Sequence, residues 1–468
     1  MSERILVPFE GDGAGVAELS WGQRNIWIPI RRHRSSLPIG GVCPLPDGVT
    51  AGDVAGELRL LVSRHQALRT RVEFDPAADR RARQILSPSG EIPLEIVDSG
   101  IAAGDPVRAA EVVRRRYEET EFDYPNEWPV RWAVITHRDM LTHLVSMICH
   151  LSIDGFGVIA MLTDLQRRGE DRIGLTAGLS ARAGDVPPQS AQRALAPLEQ
   201  ARWQTSPAGQ RVSGRALRYW ERLMSGVPAR RFSNGADPRQ PRHWVGTLDS
   251  PAAFLATQSV AGRLGISSAS VLFAAYAVAF ARATGSNPVL AQILLSNRFR
   301  PGLGDTVSPV TQPGLVVVDV AGATFDEAVD NAWRATVKSS MYAYYDPYGQ
   351  QALIDAMSER RSEPMEVRCF FNDRRLQAGP EEIGPPPSRD QLTEALSRTK
   401  VGWLETTEQS DEPFMANIED VPGTIACTVK FDTHYISPGR VETFLHEMEA
   451  ILVSAAFDPA APTGVESR

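Results

Sequence analysis

A proline-broken stretch from Arg182 to Arg211, with Pro187, Pro188, Pro197 and Pro207 among alanines and glutamines, divides this chain into two runs of alternating helix and strand signals. In the first run, Ser20 stands where a cap belongs, ahead of apolar residues at helical spacing up to Trp27. Val54, Leu58, Leu61 and Val62 then repeat on one helix face between Asp53 and Ala67. The spacing further predicts a strand over Leu68 to Phe74, a charged helix over Pro106 to Glu121, a hairpin of Arg131–Ile135 with Leu141–His150, and a helix from Phe156 to Leu165. Met1 to Ala17 is punctuated by glycine and reads as an extended arm; Gly11 to Gly15 reads as a loop. After the break, helices are expected at 216–224, 267–284, 325–341, 350–359 and 440–455, and strands at 289–295, 314–320, 367–372 and 424–431. A second loop runs from Gly379 to Arg389, with Pro385, Pro386 and Pro387. Helices mixed with antiparallel strands on both sides predict an α/β protein of two sandwich lobes: residues 1–181, a linker over 182–215, and residues 216–468.

Composition narrows the function classes. The 468 residues carry 49 Lys+Arg against 57 Asp+Glu, a net charge of −8, which argues against phosphate-neutralising nucleic-acid binding. The clusters at Arg31 to Arg34, Arg114 to Arg116, Arg167-Arg168 and Arg230-Arg231 adjoin acidic residues or turns and read as solvated faces, one of which could dock an acidic partner. Cys43, Cys149, Cys369 and Cys427 form no Cys-x-x-Cys pair, so neither zinc nor a disulfide framework is indicated and a cytoplasmic location is expected. The longest apolar stretch, Ala269 to Ala281, is too short to cross a bilayer, and the opening residues lack a leader pattern.

The segment that can carry chemistry is Cys149-His150-Leu151-Ser152-Ile153-Asp154-Gly155-Phe156-Gly157. Period-two alternation puts His150 with Thr142, Leu144, Ser146 and Ile148, the more polar side of its strand. Cys149 falls with Leu141, Val145 and Met147 on the more apolar side. Asp154 and Gly155 lie where the strand must turn into a helix, and a carboxylate there can cap the helix or hold an arginine. By spacing alone a strand-end histidine is more often structural than catalytic. A His150–Asp154 metal pair finds no further ligands to complete it.

The segment resembles the His-His-x-x-x-Asp-Gly core of nonribosomal-peptide condensation domains, with Cys149 in the place of the first histidine. Further motifs are similar and fall in order. They are Leu19-Ser20-x-x-Gln23-x-x-x-Trp27, Arg64-His65-Gln66-Ala67-Leu68-Arg69-Thr70-Arg71, and Tyr219 to Gly226. Ser296-Asn297-Arg298-Phe299-Arg300-Pro301, Val307 to Gln312, and Phe370-Phe371-Asn372 complete the series. Val307-Ser308-Pro309-Val310 departs from the usual Val-Gly pattern.

The resemblance implies two chloramphenicol-acetyltransferase-like lobes in a V with a tunnel between them, and an acyltransferase that forms an amide or ester. His150 is then the catalytic group, and the Gly155 N–H is a donor to the oxyanion. Cys149, Asp154, Arg298 and Arg69 hold the site, with Asp154 paired to Arg298 or Arg69. Asn372, Ser308 and Gln312 contact substrate. No cofactor or metal is expected to be bound. The acyl group arrives on the phosphopantetheine arm of an acyl or peptidyl carrier protein in trans, and the acceptor is a small molecule or is itself carrier-bound. Transfer from coenzyme A, a non-catalytic recruitment module and epimerisation are the alternatives. Neither a Gly-x-Ser-x-Gly elbow nor a phosphate-binding Gly-x-x-x-x-Gly-Lys loop is present.

Overall fold

The computed structural model describes residues 3–33, 35–75, 82–177, 193–232, 237–375, 386–407 and 412–466. They fall into two compact units. The first comprises residues 1–211 together with 296–312, and the second comprises 212–295 and 313–468. The expected boundaries assigned everything after 216 to one lobe. The segment 296–312 instead packs with the first unit, because its Arg298 and backbone amides bind Asp154 and its Gly302 carbonyl accepts from Leu195 N at 2.8 Å. Of the expected 182–215 linker, residues 182–192 lie outside the described residues, and the rest is largely helical.

The first unit is built on strands β1 (Glu3–Glu10), β2 (Gly15–Glu18), β3 (Ile39–Pro44), β4 (Thr70–Glu73), β5 (Arg83–Leu86), β6 (Ser89–Asp98), β7 (Val130–His137) and β8 (Met140–Ile148). Its helices are α1 (Trp21–His33), α2 (Ala51–Arg64), α3 (Pro106–Glu119), α4 (Gly155–Arg168) and α5 (Pro197–Thr205). The larger sheet runs β1-β6-β7-β8-β3, and a smaller one runs β2-β5-β4.

The alternation read in β8 sets the layers. Leu144 and Ile148 pack against Val54, Leu58 and Leu61 of α2 and against Met161 and Leu165 of α4. Val145 and Met147 point the other way, onto Ala109, Ala110, Val113 and Tyr117 of α3. The helix starts follow from local chemistry: Ser20 and Gln23 exchange hydrogen bonds at the head of α1, and Thr50 and Asp53 form a capping box on α2.

The extended opening residues are a sheet strand, since β1 pairs along its length with β6. Gly11 to Ala14 is the loop that follows, and Gly15 opens β2. A side chain on Gly11 would lie 2.1 Å from the Ser63 carbonyl, so the close approach there requires glycine. The buried Arg69 guanidinium donates to the carbonyls of Asp12, Gly13 (3.1 Å) and Ser87 (2.7 Å), so it ties this loop to the core and makes no bond to Asp154. Arg167 and Arg168, in the last turn of α4, pair with Asp305 and Asp164 at 3.3 and 2.9 Å; Arg168 is exposed, whereas Arg167 is partly covered.

The second unit begins with α6 (Pro207–Ser225), which straddles the boundary. It continues through β9 (His243–Ser250), α7 (Pro251–Leu264), α8 (Ser268–Thr284), β10 (Val289–Leu295), β11 (Gln312–Val318), α9 (Phe325–Ser340) and α10 (Pro347–Arg361). β12 (Cys369–Asp373), α11 (Arg389–Leu396), β13 (Lys400–Thr407), β14 (Phe414–Glu419), β15 (Ile425–Asp432) and α12 (Pro438–Phe457) complete it. The sheet order is β11-β10-β12-β14-β15-β9-β13. The all-round apolar α8 is buried, as its composition predicts, between the sheet and α7, α9 and α12. Trp220 of α6 and Met357 of α10 share a second cluster with Leu290 of β10.

The antiparallel expectation needs correction. β6 pairs parallel with β7, and β10 with β12 and β12 with β14 are parallel too. The helices α3, between β6 and β7, and α9 and α10, between β10 and β12, supply the crossovers that parallel pairing demands. Among the described residues no single helix is long and apolar enough to cross a membrane.

Candidate active site

β8 ends at Ile148, two residues before the expected end, and Cys149 to Ser152 form a tight turn. That turn leads to Asp154, which caps α4 by accepting from Gly157 N at 2.7 Å. The His150 ring is therefore carried on a turn pinned by a strand on one side and a helix N-terminus on the other. Its Nδ1 lies 2.8 Å from the Ile153 carbonyl. A carbonyl only accepts, so Nδ1 must hold the proton and the neutral ring keeps its lone pair on Nε2. Burial pushes the His150 pKa down; the Ile153 carbonyl and the Asp154 carboxylate push back only in part. The ring is therefore neutral at pH 7, with Nε2 ready to take a proton.

Asp154 is almost fully buried and collects five donors among the described residues. Oδ1 takes Gly157 N (2.7 Å) and Arg298 Nη2 (2.8 Å), while Oδ2 takes Val310 N (2.9 Å), Thr311 N (2.9 Å) and Thr311 Oγ1 (2.8 Å). Burial works to raise its pKa, but Arg298 and the two amides outweigh it, and the carboxyl is held below the ordinary range. A carboxylate this saturated has no lone pair left for substrate. It fastens the α4 terminus to residues 298–311. Arg298 in turn donates to the carbonyls of Thr306 (2.7 Å) and Ser308 (3.3 Å).

The other expected residues scatter. Cys149 is buried among Leu19, Trp27, Ile30, Val72, Phe122, Tyr124 and Leu151, and burial pushes its thiol up to about 12, far from a reactive thiolate. Gly155 opens α4, and nothing lies within 4 Å of where its side chain would be. Ser308 is fully buried, with its hydroxyl 2.8 Å from Gln200 Nε2. Gln312 is fully buried at the start of β11. Asn372 belongs to the second unit, where its amide donates to Asn417 Oδ1 at 3.1 Å across the β12–β14 pairing. The structure thus brings together His150, Asp154, Gly155 and Arg298, and it does not bring Arg69 to Asp154. Spacing alone missed the Ile153 carbonyl, the Val310 and Thr311 donors and Gln200. Backbone groups leave no signature in side-chain identity, and nothing distinguishes Gln200 from the other polar residues of α5.

Cys149→Ser is expected to lower stability by about 1–3 kcal/mol, because it buries a poorly paired hydroxyl, and to leave turnover near the parent value. Thermal melts and intact-mass spectrometry after mixing with an acylated carrier protein check both halves. An acyl adduct on Cys149 that turns over at the catalytic rate would contradict the geometry.

Similarity to known proteins extends over nearly the whole chain. The chain is similar to the isonitrile lipopeptide synthase of Mycobacterium tuberculosis, 23% identical over 94% of this chain but only 17% of that synthase. Among solved structures it resembles that of the condensation domain described for chain release from the enacyloxin polyketide synthase, with a TM-score of 0.68 and 19% identity over 98% of this chain and 86% of that one. It also resembles the X-domain solved in complex with OxyB from teicoplanin biosynthesis, with a TM-score of 0.66 and 15% identity over 98% and 97% of the two chains. At these identities the structures speak for the fold alone. The model that describes the condensation domain matches residues 42–467, so the β8–α4 turn and the 296–312 segment both lie inside it, and the chain belongs to the condensation-domain family.

Proposed function

We propose that the chain is a condensation enzyme of natural-product biosynthesis that joins an acyl or aminoacyl thioester to an amine or alcohol. The thioester rides on the phosphopantetheine arm of a carrier protein supplied in trans. The observation that carries this reading is the His150 ring: Nδ1–H is engaged by the Ile153 carbonyl, and the lowered pKa leaves the ring neutral with its lone pair on Nε2.

As the acceptor nitrogen or oxygen bonds to the thioester carbonyl carbon, Nε2 takes its proton. The tetrahedral oxyanion is met by the Gly155 N–H; its collapse breaks the C–S bond, and the departing thiolate recovers the proton from His150. An α-amine, with a pKa of about 8, is already partly neutral at pH 7 and needs positioning more than a base. An alcohol needs the base in full.

Because the His150 pKa is lowered, the acid limb of kcat/KM is expected below the ordinary histidine value of about 6.5. Activity is retained as pH falls through 6.5 and lost only below it. A profile with its acid limb above 7 would contradict a neutral buried base.

The test is to offer the protein acylated carrier protein, with amines and alcohols in turn, and to follow discharge of the carrier and the product by mass spectrometry. Amide or ester formation from the carrier-bound thioester is the expected result. Equal or faster use of free acyl-CoA would favour the acyltransferase alternative. No turnover, with tight binding of a partner protein, would favour a recruitment module, a reading kept open by the fold likeness to an X-domain solved in complex with a partner.

A further inference from the structure

We propose that Gly157 is a positioning residue for His150: its lack of a side chain lets Ile153 pack against the first turn of α4, and that packing aims the Ile153 carbonyl at His150 Nδ1. A Cβ at position 157 would lie 2.7 Å from Ile153 Cγ1, 3.2 Å from Asp154 Oδ1 and 3.4 Å from Arg298 Nη2. The first separation is closer than carbon atoms tolerate, and the neighbours cannot yield. Ile153 is fully buried in the core shared by α2, α4 and β8, so its side chain cannot swing out. Asp154 is held by its five donors and Arg298 by the carbonyls of Thr306 and Ser308. The remaining freedom is a displacement of the Ile153 backbone, whose carbonyl accepts the Nδ1 hydrogen bond that orients the His150 ring.

Glycine is needed here for space and not for backbone conformation. Gly157 lies inside α4, outside the left-handed region, where helix propensity by itself favours alanine. Gly155, two residues earlier, has nothing within 4 Å of its would-be side chain. The constraint therefore belongs to position 157 alone and not to the helix terminus in general.

The inference rests on His150 as the proton-accepting group, and the experiment separates the two. In protein labelled with ¹⁵N-histidine, the parent should show His150 as a single Nδ1–H tautomer. In Gly157→Ala the resonances should move toward mixed tautomers and the His150 titration should shift to lower pH, because the Ile153 carbonyl is a contact that raises the pKa. The charged group that bears on the ring, Asp154, and the Arg298 paired with it are not substituted in the variant.

Turnover should fall at least about tenfold, carried by kcat with KM for the acyl donor nearly unchanged, as expected when orientation and not binding is lost. The acid limb of the pH profile should move down with the titration. Gly157→Ala/Ile153→Ala removes the clash and should restore tautomer and limb. If Gly157→Ala does not fold, the double variant carries the test, and it must show the Nδ1–H form. An unchanged tautomer and limb in Gly157→Ala, or mixed tautomers in the double variant, would overturn the proposal. If the spectra respond as stated while a His150 variant keeps full turnover, the proton-transfer reading fails and the packing relation stands.

Discussion

His150→Ala is expected to melt within about 1 °C of the parent and to lose about 10²–10⁴-fold in kcat/KM, the range a positioned general base contributes. The ring's hydrogen bond goes to the Ile153 backbone carbonyl and to no buried side chain among the described residues, so its removal leaves little buried polarity behind. Steady-state kinetics with an acylated carrier and an alcohol acceptor should show the full loss. An amine acceptor should show less, because part of the amine is already deprotonated at neutral pH. A His150→Ala protein that melts with the parent and turns over within threefold of it would remove the imidazole from the chemistry.

The second large effect is on stability. Asp154→Ala leaves Arg298, only 12% exposed in its side chain, without its counter-charge, and it strands the Val310 and Thr311 amides. Breaking a buried pair from one side costs about 3–5 kcal/mol. The sign of its pH dependence follows from linkage. The folded-state pKa of Asp154 is lowered, so its contribution is complete above the unfolded value of about 3.9 and is lost as pH falls through the folded one. The Tm difference between parent and Asp154→Ala should therefore be constant from pH 5 to 8 and shrink on acidification below about 4. An unchanged Tm with activity abolished would instead make Asp154 a group that acts on substrate.

The site was legible in the sequence to the extent that it is written contiguously. Cys149 to Gly157 runs without a break from the end of a strand through a turn into the first turn of a helix, and the alternation along β8 sets Leu144 and Ile148 opposite Val145 and Met147. Arg298 was reachable only through the order of motifs, since 144 residues separate it from Asp154. Arg69 was named as a possible partner for the same carboxylate. Its guanidinium instead serves three carbonyls, a use of arginine that residue identity cannot distinguish from ion pairing. Ser308 and Gln312 were expected to contact substrate only through the family resemblance, and their burial is a property that residue identity does not record. Among strands, β1 escaped notice beside its glycines. The parallel pairs β6–β7 and β10–β12 depend on where crossovers land, which no local pattern records.

The return of residues 296–312 to the first unit bears on how such a chain can be recombined. Four of the five donors to Asp154 come from Arg298, Val310 and Thr311, all on that returning segment. A hybrid that joins the first 211 residues of this protein to the remainder of a relative would keep the carboxylate and exchange most of its donors. Grafts that carry 296–312 along with 1–211 preserve the lock in one piece, and grafts cut at the visible break near 211 place a seam through it.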